Sequence, residues 1–333
     1  MDRRKKALKF VNLAGRGLEI GPSYNPLVSK ASGARVETVD HADRQTLVDK
    51  YTAWGLPAEK TAAIEEVDHI WTGGSLLDVV TDRGAYDFIV ASHVIEHSVD
   101  LVSFLHDCTE LLSESGRLAL VIPDKRYCFD RFQPLSTVGD AVDAFHAANR
   151  FHTAGTLLDH QAYGCTLGDA IAWNATATGV VLLQFPQLEH ADTVIESGLA
   201  QDQYHDIHHW KFTPTSFELL MRDLWCLGYQ SLGHVGSFGT DGFEFFVTLG
   251  KGDTWPADDR VKTLLRIELE LAAVAQTSQP AGAPEDLVER NAALERQVAE
   301  LIGEIATLKA SRSWRTTRPL RQINAAARQR FRH

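Results

Sequence analysis

The chain has 333 residues, of which 44% are hydrophobic, enough for one large α/β domain and an additional element. Its formal net charge of −11 argues against a general affinity for nucleic acid. The four cysteines have no C-x-x-C spacing, so the sequence predicts neither a zinc ribbon nor a redox motif. Scattered single thiols instead fit a reducing compartment.

The sequence predicts a cytoplasmic protein. No stretch is long and apolar enough to span a bilayer, and polar residues interrupt any apolar signal segment after the basic start. Residues 312–332 are rich in arginine and include no acidic residue. Such a tail could touch anionic lipid at the inner membrane face, although a solvated tail is the simpler interpretation.

Short β-branched runs alternate with longer helical patterns over the first 250 residues, which is typical of a parallel sheet covered by helices. The predicted strands are 17–20, 35–39, 65–68, 88–91, 117–122, 229–232 and 243–249. The predicted helices are 101–112, 217–227 and 261–275. The segment 125–211, rich in histidine and aromatic residues, is too long for an ordinary loop and predicts a helical cap over a site.

Two strand ends carry features that suit a nucleoside ligand. The first strand runs through Glu19 into Gly21, where a residue without a side chain lets the backbone approach a ligand closely. The second strand ends at Asp40, whose carboxylate could accept hydrogen bonds from both hydroxyls of a ribose. The pair alone leaves two interpretations open. One is a nucleoside site, and the other is a turn, because an acidic residue after a strand is often only a turn former.

A third feature is the sequence YDFIVASHVIEH over residues 86–97, a buried strand that leads into a polar turn and then a helix. About twenty residues later, LLSESGRLALVIP over 111–123 reads as a helix end, a turn and a buried strand. In this order the motifs resemble the class I S-adenosylmethionine-dependent methyltransferases. The branch resembled is the small-molecule, type 11-like one, in which a His-x-x-Glu-His turn follows the fourth strand.

The resemblance covers about Gly15 to Gly250 and implies a Rossmann-like, seven-stranded α/β methyltransferase sheet with S-adenosylmethionine as cofactor. It implies that the loop after the first strand holds the methionine part, Asp40 the ribose and Asp68 the adenine amine. The implied cofactor residues are Glu19, Gly21, Ser23, Asn25, Asp40, Asp68, Ala91, Ser92 and His93. Ser23 and Asn25 stand where the family usually has glycine, but Asn tolerates positive φ better than most residues, so the loop shape can survive.

Acceptor chemistry is predicted from two segments that flank the cap. Asp124, Arg126 and Tyr127 follow the fifth strand, at the carboxyl edge where open α/β sheets bind ligands, and are expected to place the acceptor. Within 204–210, Asp206 and His208 share a face if the chain is extended, which predicts His208 as a general base oriented by Asp206.

His97 is the alternative base, although capping or packing of the helix start is its simpler role. No compact ligand motif is present, so the sequence predicts no metal site. A metal held by cap histidines is the alternative, and their packing inside the cap is the simplest interpretation. The histidines in question are His160, His190, His205, His208 and His209.

The domain pattern changes after residue 252, where the methyltransferase-like region 1–252 ends. The sequence predicts a helix and linker over residues 253–284, a coiled coil over 285–310 and a basic tail over 311–333. Leu287, Asn291, Leu294, Val298, Leu301, Ile305 and Leu308 are spaced alternately by four and three residues. Leucine at every d position with Val298 and Ile305 at a favours a parallel homodimer, and an amphipathic helix docked on its own domain is the alternative.

The segment 310–321 is similar to one that follows coiled coils in bacterial surface-polysaccharide enzymes, glycosyltransferases included. This resemblance implies O-methylation of a sugar or sugar-linked group during glycan assembly, with the tail contacting a membrane or a glycosyltransferase. Two alternatives remain at this stage. One is an NAD-dependent oxidoreductase, suggested by the Gly21–Asp40 spacing despite the absence of G-x-G-x-x-G. The other is a non-catalytic scaffold acting through the coiled coil.

Overall fold

The computed structural model describes residues 1–185, 188, 191–200 and 203–277. The predicted linker from residue 278 onward, the predicted coiled coil, the basic tail and His190 lie outside the described residues. Within the described part of the chain, no helix is long and apolar enough to cross a membrane.

Nine strands are described. They are β1 (Gly17–Ile20), β2 (Val36–Asp40), β3 (His69–Ile70), β4 (Tyr86–Ser92), β5 (Leu112–Pro123), β6 (Cys165–Leu167), β7 (Val181–Leu183), β8 (Gly233–Asp241) and β9 (Glu244–Gly250). Seven of them form one sheet in the order β3-β2-β1-β4-β5-β9-β8, and β6 and β7 form a separate antiparallel pair. The first five strands in this order, β3, β2, β1, β4 and β5, are parallel to one another. Strand β9 is antiparallel to both β5 and β8.

The described helices pack around this sheet. They are α1 (Arg3–Ala7), α2 (Arg44–Ala53), α3 (Ala58–Ala62), α4 (Leu101–Leu111), α5 (Val138–Ala147), α6 (Ala154–Tyr163), α7 (Asp192–Ala200), α8 (Pro214–Cys226) and α9 (Arg260–Thr277). The fold is therefore the Rossmann-like α/β sheet that the sequence resemblance implies. An antiparallel β9 between β5 and β8 distinguishes it from the dinucleotide-binding fold, whose strands run 3-2-1-4-5-6 in a mostly parallel sheet.

Local sequence explains where the two central helices begin. Asp100 accepts the backbone N–H of Ser103 and so caps α4. Thr213 and Ser216 form a reciprocal capping box, and Pro214 occupies the first turn of α8. The helix predicted over 217–227 therefore begins three residues earlier, because these capping contacts extend it toward its amino terminus.

Two strand predictions are wrong in position. Residues 229–232 do not form a strand, because Gly228, with φ of 78°, ends α8 and Gln230 bonds the backbone at Met221 and Leu232. The strand follows at β8 instead. The strand predicted over 65–68 is displaced to β3, two residues long, because the carboxylate of Asp68 accepts the backbone N–H of Thr38 beside it.

The hydrophobic core lies on both faces of the sheet. The larger cluster joins the sheet to α4 and α8 through residues such as Leu105 and Phe217, both fully buried. The smaller cluster packs α1 against β4, β5 and β9 on the other face. In the segment predicted as a cap, the described elements are α5, α6, α7 and the β6–β7 pair. This arrangement leaves the carboxyl ends of β1, β2 and β4 free to form a site.

Candidate active site

A cavity of about 1070 Å³ opens at the carboxyl ends of β1, β2 and β4. The chain passes from β1 to β2 on one side and returns to β4 on the other, so the cavity lies at the switch point where open α/β sheets bind ligands. Of the predicted cofactor residues, those lining it are Glu19, Gly21, Ser23, Asn25, Asp40, Ser92 and His93.

The loop after β1 keeps a ligand-binding shape without the later glycines. Gly21 has φ of 68°, and a Cβ atom at this position would lie 2.7 Å from a methyl group of Val94. Ser23 also has positive φ, at 47°. Its backbone N–H donates to Asp40 over 3.0 Å, and its hydroxyl contacts the hydroxyl of Tyr51 at 2.8 Å. These two bonds hold a conformation that a serine would otherwise disfavour.

Glu19 holds this loop in place through hydrogen bonds to its backbone. Its two carboxylate oxygens accept the backbone N–H groups of Leu27 and Val28 at 2.6 and 2.8 Å. Burial raises the pKa of Glu19 to about 7, against the lowering effect of these two donors. With both oxygens already bonded to backbone, Glu19 positions the loop that a ligand would contact.

Asp40 is buried but lines the cavity. One oxygen accepts the backbone N–H of His41 and contacts its Nδ1 at 2.7 Å, and the other accepts the Ser23 N–H. His41 Nε2 lies 3.3 Å from Lys50 Nζ, which bonds Asp206 at 3.2 Å. A polar chain thus connects the Asp40 side of the cavity with the Asp206 side.

Two predicted cofactor residues do not line the cavity. Asp68 faces Lys30, with Oδ2 and Nζ 2.5 Å apart, and bonds Thr38 in the edge of the sheet. Burial would raise the pKa of Asp68, but Lys30 and the Thr38 N–H lower it. Ala91 is buried inside β4, below the turn that lines the cavity. The prediction that Asp68 contacts an adenine is therefore not supported by its position.

The turn after β4 carries the densest polar contacts. His93 has φ of 55°, and its Nε2 lies 2.9 Å from Glu244, which is also bonded by Arg3. Burial by itself would lower the pKa of His93, but Glu244 and Glu96 raise it to about 9. The turn is thus fixed by side chains from β9 and α1, at the two ends of the described chain.

Behind this turn lies an imidazole cluster, defined here as Glu96, His97 and His208. Glu96 is fully buried, and its Oε1 lies 3.9 Å from the Nε2 atoms of both histidines. Burial would raise the pKa of Glu96, but the surrounding imidazoles, first that of His93, lower it. Burial lowers the pKa of His97 to about 4, and the neighbouring His208 adds to this effect.

The backbone of residues 207–212 brings His208 to the cluster. The carbonyl of Glu96 accepts the N–H groups of His209 and Trp210 at 2.6 and 3.0 Å. The indole N–H of Trp210 donates to the carbonyl of Ser98 at 2.6 Å. The carbonyl of Phe212 then accepts the N–H of Lys125 at 2.9 Å. The far end of the cap segment is thereby attached to the ends of β4 and β5.

The predicted Asp206–His208 pair is wrong. His208 Nδ1 lies 2.5 Å from Asp130, whereas Asp206 faces His97 Nδ1 at 3.4 Å. The N–H of Ile207 bonds the carbonyl of His205 at 3.0 Å, so the chain bends here and the two side chains do not share a face. His97 and Asp206 line the cavity, but His208 lies behind them. Burial would lower the pKa of His208, but Asp130 raises it above the ordinary value.

Asp124, Arg126 and Tyr127 do not line the cavity either. Asp124 is fully buried, and Arg126 donates to both its oxygens at 2.9 and 2.6 Å. Asp124 also accepts the hydroxyl of Thr240, and Arg126 reaches the carbonyl of Glu270. These contacts indicate a structural role and not the predicted acceptor-binding one. The Asp124–Arg126 pair forms a clasp that joins the end of β5 to β8 and α9.

The described cap histidines outside the cluster make separate contacts. His160 packs on Phe129, His205 Nε2 lies 2.8 Å from the hydroxyl of Ser197, and His209 stacks on His152. These contacts fit the simplest interpretation of the sequence, which is packing inside the cap.

Several polar residues of the site had no signal in the sequence. They are Arg3, Lys50, Asp130 and Glu244. Each lies in a run that reads locally as ordinary helix, loop or strand, and each acquires its partner only through the tertiary fold. The length of chain between Arg3 and Glu244 shows why their pairing could not be read from spacing.

Comparison with known proteins finds no matching family model and no matching curated sequence. Among solved structures, a Rhodobacter sphaeroides protein provisionally named a zinc-dependent alcohol dehydrogenase is 12% identical over 75% of this chain and 90% of its own, with a TM-score of 0.40. The CcbJ methyltransferase of Streptomyces caelestis is 13% identical over 75% and 94%, with a TM-score of 0.36. An S-adenosylmethionine-dependent methyltransferase of Mesorhizobium loti is 10% identical over 73% and 95%, also at 0.36. At these values the likeness does not carry over what those proteins bind or transfer.

Proposed function

We propose that this protein is an S-adenosylmethionine-dependent methyltransferase. The observation that supports this most is the large cavity at the switch point, lined by the Gly21 loop and by the Asp40 carboxylate that bonds this loop. The antiparallel β9 disfavours the oxidoreductase alternative, because a dinucleotide-binding sheet continues in parallel at this position.

The residues of the described cavity fit the cofactor. Backbone can approach a ligand at Gly21, where a Cβ would collide with Val94. Asp40 is held by Ser23 and His41, and a carboxylate has further lone pairs for the two ribose hydroxyls. Ser92 and His93, after β4, also line the cavity. The cofactor would lie between these residues.

The cavity is large enough for a second ligand. Its volume of about 1070 Å³ exceeds the range of about 300–1,000 Å³ typical of small-molecule sites. The groups that line it besides the predicted cofactor residues include His97 and Asp206, whose ring nitrogen and carboxylate lie 3.4 Å apart. We therefore assign this part of the cavity to the methyl acceptor.

When bound, the cofactor supplies a methyl group on a sulfonium, which is transferred in line to the acceptor. The protein's task is to hold the acceptor atom near that methyl and to take up the proton of a hydroxyl acceptor. His97, with Asp206 beside it, replaces His208 as the proposed base because it reaches the cavity. Burial keeps the pKa of His97 low, so the imidazole is neutral.

We further propose that the acceptor is an oxygen of a sugar or sugar-linked group. Support comes from the sequence of residues 310–321 alone, through its similarity to surface-polysaccharide enzymes. Release of S-adenosylhomocysteine from a panel of sugars and nucleotide sugars, compared with amine and carboxylate acceptors, tests it. Turnover confined to amines or carboxylates would overturn the sugar assignment and leave methyl transfer intact.

Homodimerisation through residues 285–310 is likewise a proposal from sequence. In the full chain, Leu294→Lys with Leu301→Lys places charge at two predicted d positions and should convert dimer to monomer in sedimentation velocity. Lysine at Ala293 and Glu300, which fall at predicted c positions outside the a and d seam, is the matched control. A wild-type monomer, or a dimer that survives the leucine changes, contradicts the coiled-coil dimer.

Calorimetric titration of the purified full chain with S-adenosylmethionine, with NAD as the comparison ligand, tests the proposed function. We expect saturable binding of S-adenosylmethionine and none of NAD. Binding of NAD alone would establish the oxidoreductase alternative. Absence of both would favour the non-catalytic scaffold.

A further inference from the structure

We propose that the imidazole cluster of Glu96, His97 and His208 binds a divalent transition-metal ion in the wall of the cavity. One ligand atom from each of these residues lies within 4.8 Å of the others. Two imidazoles and one carboxylate form a donor set that zinc and ferrous ions favour, whereas magnesium prefers oxygen ligands. This inference concerns binding and does not depend on the proposed methyl transfer.

The carboxylate of Glu96 gives the first independent reason. It is fully buried, and neither oxygen forms a hydrogen bond with any residue that the structure describes. A buried ionised group without hydrogen bonds is costly, and such groups in proteins are normally paired or bound to metal. Its Oε1 lies 3.9 Å from ring nitrogens of both His97 and His208 and 3.4 Å from that of His93.

The orientation of both histidines gives the second reason. His208 Nδ1 lies 2.5 Å from Asp130, and His97 Nδ1 lies 3.4 Å from Asp206. In each ring the other nitrogen, Nε2, therefore faces Glu96. A carboxylate bonded to the far side of a histidine ring is the usual support of a metal-binding imidazole, and Asp130 gives His208 this support, whereas His97 Nδ1 forms no hydrogen bond with any described residue.

The spacing is close to that of a coordinated ion. Two ligand atoms about 2.1 Å from one ion in tetrahedral geometry lie about 3.4 Å apart. The observed separation of 3.9 Å between Glu96 Oε1 and each Nε2 requires movements of only a few tenths of an ångström. His97 lines the cavity, so an ion has a route to the cluster and a fourth position open to a ligand.

An ion at this place would act on the acceptor side of the cavity. A divalent ion polarises an oxygen ligand and lowers the pKa of its hydroxyl proton. If the proposed function holds, the ion would lower the pKa of an acceptor hydroxyl bound to it, so that the proton could pass to water in the cavity instead of to His97. Asp206 would then serve as a positioning residue for His97.

Metal binding can be measured directly on the full chain. The chelator-treated protein is titrated with Zn²⁺ by calorimetry and with Co²⁺ by its visible ligand-field absorption. We expect stoichiometric binding by the wild type. His97→Gln and His208→Gln should weaken it by at least about 100-fold, and Asp130→Asn by about 10–100-fold. His106→Gln, a cavity-lining histidine outside the cluster, should bind as the wild type does.

Circular dichroism and S-adenosylmethionine affinity on the same samples separate loss of metal from loss of fold. Where His208→Gln does not fold, His97→Gln decides, because His97 already borders the cavity. A wild type that binds neither ion tighter than about 100 µM, or folded ligand variants with unchanged affinity, overturns the inference. A protein that binds Co²⁺ at the cluster but no S-adenosylmethionine retains the metal site and overturns the proposed function.

Discussion

The two sides of the cavity are built in different ways. The Gly21–Asp40 side consists of two strand ends and the loop between them, joined by backbone bonds of Ser23 and Glu19. The imidazole side is assembled from parts far apart in the chain, since His208 reaches Asp130 across 78 positions and Trp210 reaches Ser98 across 112. The loop contacts of the Gly21–Asp40 side can therefore form locally, whereas the imidazole side requires the cap segment to be in place.

The largest expected effect is on the imidazole side. His97→Ala should lower turnover by about 10²–10⁴-fold, the usual loss when a base is removed, while S-adenosylmethionine affinity stays within about twofold. Turnover is followed as S-adenosylhomocysteine release with whichever sugar the wild type accepts. His106→Ala is the control, because it borders the same cavity without joining the cluster. Full activity of the His97 variant would show that His97 on the imidazole side is not the catalytic base.

The Asp124–Arg126 clasp should affect stability alone. Asp124→Asn leaves the Arg126 guanidinium largely buried and without its full partner, which should lower the free energy of unfolding by about 3–5 kcal/mol. Urea unfolding measures it. Glu110→Gln, in the exposed pair with Arg83, should change stability by no more than about 1 kcal/mol. An equal loss of unfolding free energy in both variants would contradict the structural role of Asp124. Weaker S-adenosylmethionine binding by a folded Asp124 variant would indicate that Asp124 belongs to the active site.

On the cofactor side, Asp40→Asn should weaken S-adenosylmethionine binding by about 1–3 kcal/mol, because a charged acceptor for the ribose is lost. Asp68→Asn is the matched comparison. Its carboxylate bonds Lys30 and Thr38 outside the cavity, so the affinity should not change. Calorimetry of both variants decides between the two positions. Equal losses would place Asp68 in the site after all.

The smallest effect concerns Glu19, whose pKa burial raises to about 7 from an ordinary 4.5. A raised pKa in the folded state means that its stabilising contribution is complete below about pH 4.5 and is lost as the pH rises through about 7. Between about pH 5 and pH 8, the wild type should lose about 1–3 kcal/mol relative to Glu19→Gln. Urea unfolding over this pH range measures the difference, and the exposed Glu59→Gln is the control. A difference that is constant with pH would contradict the buried, proton-binding state.

The contrast between the two sides also explains what the sequence could predict. Gly21 and Asp40 were recognisable because a glycine after one strand and an acid at the end of the next are local signals. The sheet followed from the same strand pattern. Asp68 was misplaced because it precedes the third strand, which spans His69–Ile70, instead of ending it, and its side chain bonds Lys30.

The imidazole side was only half predicted. The motif that contains Glu96 and His97 was recognised, but the partner of His208 was taken as Asp206 because the two are close in sequence. The bend at Ile207 separates them, and Asp130 and His97 become the true partners. The expectation of no metal rested on the absence of a compact motif and stays a prediction, to be tested against the metal site proposed at the imidazole cluster.

The bonds from Glu96 to His209 and Trp210 have a consequence for the order of folding. They close a loop of more than a hundred residues. The chain loses conformational entropy when this loop closes, and only the contacts formed afterwards can offset that loss. During synthesis Glu96 emerges long before His208 exists, and until the loop closes its carboxylate remains in water. The contacts of the Gly21–Asp40 loop can form in this interval, whereas the imidazole cluster must wait for His208 and the His93 turn for Glu244.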